Sequence, residues 1–178
     1  DKVHMAAMAS TQFDHFRLIE RRVGELGGEV MAAMDPFHHP FDSFHAHTAP
    51  KTWLEGLVKA YVGDGFAADF YREVAAFVDS ETRAVVIEAL TEDAHAEFVV
   101  ERVREAIRND PPMAGRLALW GRRLVGEALS QAQRVAADRD ALTSLLTGTT
   151  ERPGMYLAAI RTMFSRLHEN HTERKRFV

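Results

Sequence analysis

Residues 53–108 read WLEGLVKAYVGDGFAADFYREVAAFVDSETRAVVIEALTEDAHAEFVVERVREAIR, and the spacing of their apolar positions decides the fold class. Leu54, Leu57, Tyr61, Asp64, Ala68, Tyr71, Ala75 and Val78 follow one another at steps of three and four. That spacing lines one face of an α-helix, whereas a strand alternates at every second residue. Val85, Ala89, Glu92, Ala96, Val99, Val103 and Ile107 repeat the pattern. Only Asp79 and Ser80 stand between the two rows, a link so short that the two helices must pack antiparallel. Ser80 is the expected N-cap of the second arm. That arm is expected as one helix from Glu81 to about Arg108, ended by Asn109-Asp110-Pro111-Pro112.

The same periodicity extends outward on both sides. Residues 2–26 carry Met5, Met8, Phe16, Ile19, Val23 and Leu26 at helical spacing, and Gly27-Gly28 stops the run. Pro36, Pro40 and Pro50 punctuate residues 29–52, with histidines and phenylalanines between them. Proline ends helices, so this stretch is expected as a long connection with no more than a short helical turn. A long helix is expected from Met113 to Leu146, a break at Gly148-Thr149-Thr150, and a last helix from Pro153 to His168. The fold class is therefore all-α: an antiparallel helix bundle in one domain over 1–178, with one long crossover and extra C-terminal helices. The helical pattern is already running at Asp1, so a further helix is expected upstream of it.

Composition narrows the chemistry. Of 178 residues 46% are hydrophobic and 27% charged, an ordinary globular balance. The net charge of −4 gives no global pull toward nucleic acid or anionic membrane. There are no cysteines, which excludes disulfides, thiolate metal sites and cysteine nucleophiles, and fits a cytoplasmic protein. No apolar run is long enough to span a bilayer, so no membrane partner is expected.

Polar residues on apolar rows carry the functional signal. Glu92 and His95 stand at i and i+3 and so share a helix face. A buried carboxylate without a partner is costly, and a metal ion removes that cost by taking both groups as ligands. Glu-x-x-His is the inward-facing signature of di-iron carboxylate bundles. Equal residue counts either side of the turn at 79–80 put His95 level with Asp64, with Asp69 as the fallback nearer the turn. Gln12 and His15 stand at i and i+3 on the first helix, the acid replaced by its amide. A hydrogen-bonded core amide is the equal alternative for Gln12.

Tyr61-Val62-Gly63-Asp64-Gly65, Asp69-Phe70-Tyr71 and Glu92-x-x-His95, with Gly121-Arg122-Arg123-Leu124-Val125-Gly126-Glu127, resemble the ferritin-like superfamily. Within it they are most similar to the tRNA 2-methylthio-N6-isopentenyladenosine hydroxylase-like family. The resemblance implies two irons, ligated by Asp64, Glu92, His95 and His15 with Gln12 at a ligand position. It also implies dioxygen as co-substrate and a modified tRNA base as substrate; a homodimer is the assembly considered. The amide at Gln12 and a carboxylate that would come from upstream depart from the family pattern. They leave open a non-catalytic bundle whose degraded site serves binding or assembly.

Other features have ordinary readings. His38, His39, His45 and His47 read as loop packing or surface, and Glu127 with Gln131 as a structural hydrogen-bond pair. Arg116, Arg122, Arg123, Arg134 and Arg139 read as the charged face of a long helix, with phosphate binding as the alternative.

Overall fold

The computed structural model describes residues 2–90, 95–139, 142, 144 and 145; for His95 it describes the backbone only. Its helices are α1 (Lys2–Glu25), α2 (Val30–Met34), α3 (His38–His47), α4 (Trp53–Ala75), α5 (Ser80–Ala89), α6 (His95–Asn109) and α7 (Met113–Asp138), with a 3-10 turn at Asp35–Phe37 between α2 and α3.

Each boundary has a local cause. Gly27 closes α1 with φ +79°, a left-handed conformation that favours glycine. The amides of Gly27 and Gly28 donate back to the carbonyls of Gly24 and Val23, both at 2.9 Å, completing a Schellman cap. Thr52 caps α4 by accepting from the Glu55 amide at 3.2 Å. Asp79, rather than Ser80, caps α5. Its carboxylate takes the amides of Glu81 and Thr82 at 3.1 and 2.9 Å and the Thr82 hydroxyl at 2.6 Å, and Ser80 becomes the first helical residue. A carboxylate reaches farther than a serine hydroxyl and complements the positive end of the helix dipole.

Two expected boundaries differ. The connection 29–52 is largely helical, because its prolines fall where helices tolerate them. Pro36 opens the 3-10 turn and Pro40 is the third residue of α3, in a first turn whose amides have no intrahelical partner. The arm expected as one helix over 81–108 is two, α5 and α6. Leu90 leaves helical geometry at φ −101°, ψ 12°. On the C-terminal side, α7 ends at Asp138 and Arg139 is extended, so the helix expected to run to Leu146 is broken there, with Leu142, Ser144 and Leu145 helical again beyond it. The last helix expected at 153–168 lies outside the described residues.

The core forms where α4 meets α6 and α7. Leu57, Val58 and Val62 of α4 pack with Val99 and Val103 of α6 and with Leu117, Leu124 and Val125 of α7. Phe66 extends this contact along α4 to Phe70, Ala128, Leu129 and Ala132. The Trp120 indole N–H donates to the Glu55 carbonyl at 2.9 Å, fixing the register of α4 on α7. α1 contributes no fully buried residue. It lies against α5 and α6, held at one end by the Arg22 guanidinium on Asp79, Glu81 and Thr82, and at the other by His4 stacked on Phe98 with ring centroids 4.8 Å apart.

Leu124 is 0% exposed at the centre of this core. Leu124→Ala is expected to cost about 2–5 kcal/mol of unfolding free energy, read from the urea midpoint. The Thr82 hydrogen bonds and the Arg22 charge hold the Asp79 carboxyl down at about 2, against an ordinary 3.8. A depressed carboxyl stabilises fully above its unfolded pKa and loses that effect as pH falls through the folded value. Asp79→Ala should therefore lower Tm at pH 7, with the difference from the parent shrinking between pH 4 and pH 2.

Candidate metal centre

Leu57 and Ala75 of the expected row are buried, but between them burial passes to the neighbouring row of Val58, Val62, Phe66 and Asp69, at steps of four, four and three. The expected row through Tyr61, Asp64, Ala68 and Tyr71 is turned about 100° away. Apolar area decides between them. Val58, Val62 and Phe66 offer branched and aromatic surface to α6 and α7, whereas Gly63, Asp64, Gly65 and Ala68 offer little. Asp64 consequently keeps a solvent-exposed edge. Partial burial nonetheless pushes its carboxyl above the usual range.

Asp69 is the buried carboxylate of α4, 6% exposed. The Arg72 guanidinium donates to its Oδ1 at 3.2 Å and, through the other nitrogen, to the Leu90 carbonyl at 3.1 Å. That carbonyl is the last of the described chain at the end of α5. Arg72 therefore ties α4 to the point where α5 stops. Asp69 lies about one turn farther along α4, away from the α4–α5 link.

On α1 the half-buried positions Met8, Thr11, His15, Phe16, Leu18, Ile19, Arg22 and Val23 form the face turned to the bundle. His15 belongs to it, while Gln12 is exposed to solvent. An exposed amide is neither the packed core group nor the inward ligand expected at that position. Glu92 lies outside the described residues, as does the side chain of His95. Among the described residues no three His, Asp or Glu side chains converge into a metal-binding group. The structure thus places His15 and Asp69 inward and Asp64 at an exposed edge.

A second polar cluster joins α3 to α7. His47 Nδ1 lies 2.9 Å from Glu127 Oε1, and Gln131 Nε2 donates to the same oxygen at 2.7 Å. These two partners hold the Glu127 carboxyl below its usual range. The Glu127–Gln131 pair is the structural hydrogen bond that i, i+4 spacing predicts. The His47 contact spans eighty positions of sequence and has no local signal. Nor did any local signal mark Arg72, whose role depends on where α5 ends. His38, His39, His45 and His47 are exposed, on a helix rather than in a loop.

These features accord with the comparison of the chain with known families. The ferritin-fold-like family, the ferritin-like domain of actinomycetes, matches residues 1–149, and the chain belongs to that family. No curated protein matches it.

Arg72→Met removes a charged donor from a buried carboxylate and should cost about 1–3 kcal/mol, with part of the loss recovered in the Asp69→Leu, Arg72→Met double variant. Asp64 carries the opposite sign from Asp79. Its raised carboxyl favours the folded state at low pH and opposes it as pH rises through the folded value. Asp64→Asn should be at least as stable as the parent at pH 7, and any gain should vanish below the ordinary carboxyl value of 3.8. Urea midpoints across pH 3–8 check both.

Proposed function

From membership of the actinomycete ferritin-like family we propose that this chain is a non-haem iron protein that activates dioxygen to hydroxylate a substrate. Glu92, His95 and His15 supply donors, with a carboxylate from α4. Carboxylate oxygens and imidazole nitrogens are a donor set suited to iron. When bound, the metal supplies the oxidation chemistry, and the protein sets ligand orientation and keeps out water.

The observation that carries this reading is the buried carboxylate of Asp69 beside the end of α5. It is buried on the same face of α4 as Val62 and Phe66. Asp64 is the α4 donor that the resemblance implies, and burial favours Asp69. Arg72 holds one Asp69 oxygen and offsets part of its charge, which weakens that carboxylate as a bridge between two cations. A single iron accords better with that balance than a pair. Gln12, exposed and neutral, is not needed.

A modified tRNA base as substrate rests on the resemblance. The α7 surface gives it little support, since three of its five candidate arginines have partners within the chain. Arg116 binds Asp110, Arg123 binds the His47 carbonyl and Arg139 binds the Pro36 carbonyl. A second reading, a bundle whose degraded site serves binding or assembly, is favoured by the amide at Gln12.

Iron analysis on aerobically purified protein separates the readings. The proposal expects bound iron in the parent, loss in the Glu92→Ala, His95→Ala double variant, and retention in Gln12→Ala. Asp69→Asn is expected to lower iron more than Asp64→Asn. Iron surviving the double substitution rejects the site. A parent that takes up no iron after anaerobic reconstitution with ferrous salt supports the binding or assembly reading instead.

A further inference from the structure

A cavity of about 260 Å³, whose lining includes none of the candidate metal ligands, lies between the start of α3 and the end of α7. His39, Gln131, Arg134, Asp138 and Arg139 contribute to its lining. We propose that this cavity binds a small carboxylate bearing a neighbouring hydroxyl or amine donor.

The argument begins with Gln131. It is 6% exposed, and among the described residues its Oε1 has no hydrogen-bond donor. The amide cannot turn over to relieve this. Its Nε2 donates to Glu127 Oε1, and that carboxylate is held ionised by His47 on the other side. Turning the amide would set an oxygen against an ionised oxygen. Oε1 is therefore fixed as a buried acceptor in want of a donor, a costly state for a polar group unless something arrives to fill it.

The charges of the lining specify the rest of the ligand. Arg134 and Arg139 bring two positive charges and Asp138 one negative, so the described lining favours a monoanion. Arg139 is immobilised, with one nitrogen 2.6 Å from the Pro36 carbonyl and its guanidinium 5.3 Å from the Phe37 ring centroid. Arg134, one turn beyond Gln131 on α7, is exposed at the mouth. A guanidinium matches a carboxylate in both charge and geometry. A hydroxyl or amine on the adjacent carbon then supplies the donor for Gln131. The volume falls below the roughly 300–1,000 Å³ of sites for drug-sized molecules, which sets the scale at a few carbons.

The proposal does not depend on iron, so its failure and that of the metal reading are separable. Calorimetric titration of the full chain with glycolate, acetate and glycolamide tests it. Glycolate has both features, acetate lacks the donor and glycolamide lacks the charge. Glycolate is expected to saturate one site per chain, with each analogue weaker by about tenfold or more. Gln131→Met should abolish the preference of glycolate over acetate. Arg134→Met, a surface change that leaves the core intact, should weaken glycolate and acetate alike. Equal heats for all three compounds, no saturation by glycolate, or undiminished binding in Arg134→Met would overturn the proposal and leave Gln131 Oε1 to an ordered water.

Discussion

Everything else in the structure depends on the packing of α4 against α7. Leu57, Val58 and Val62 meet Leu117, Leu124 and Val125 there, and Trp120 hydrogen-bonds the α4 backbone. Burial of this apolar surface selects which row of α4 turns inward. Because a helix turns about 100° per residue, that choice also settles which acidic side chain enters the bundle. Asp69 lies on the row of Val62 and Phe66, and Asp64 does not.

Arginine side chains then fix the parts that apolar packing leaves loose. Arg83 donates to the carbonyls of Ala75, Ala76 and Val78, closing the end of α4 and setting the tight link to α5. Arg22 binds the start of α5 to the end of α1, and Arg72 binds its far end to α4. These contacts are directional where hydrophobic burial is not, so they determine register and the position at which α5 stops. Lys59 does similar work at the other end, donating to the Thr48 carbonyl at 2.9 Å where α3 gives way to α4. α1, which buries no residue completely, relies on such contacts most.

Much of this was legible in the sequence. Steps of three and four gave the helices α1, α4 and α7 their starts and the class of the fold, because backbone periodicity is local. The phase of α4 was not, because two adjacent rows both satisfy helical spacing. The row with Tyr61 and Tyr71 and the row with Val62 and Phe66 both have helical spacing, and packing against α6 and α7 selects between them. The helices within 29–52 were hidden by reading Pro36 and Pro40 as breakers without asking whether they fell in a first turn. The departure from helix at Leu90 has no glycine or proline to mark it. Of the candidate ligands, His15 falls on the half-buried face of α1, whereas the solvent position of Gln12 depends on how α1 rests on α5.

The absence of native cysteine allows a direct measurement of the α4 orientation. Single substitutions Val62→Cys, Asp64→Cys and Asp69→Cys, each alkylated under native conditions, report which row faces the bundle. Rapid modification at position 64, with positions 62 and 69 reacting only as the protein unfolds, is the result this structure predicts. Protection at 64 together with rapid modification at 62 and 69 would contradict it and return Asp64 to the interior.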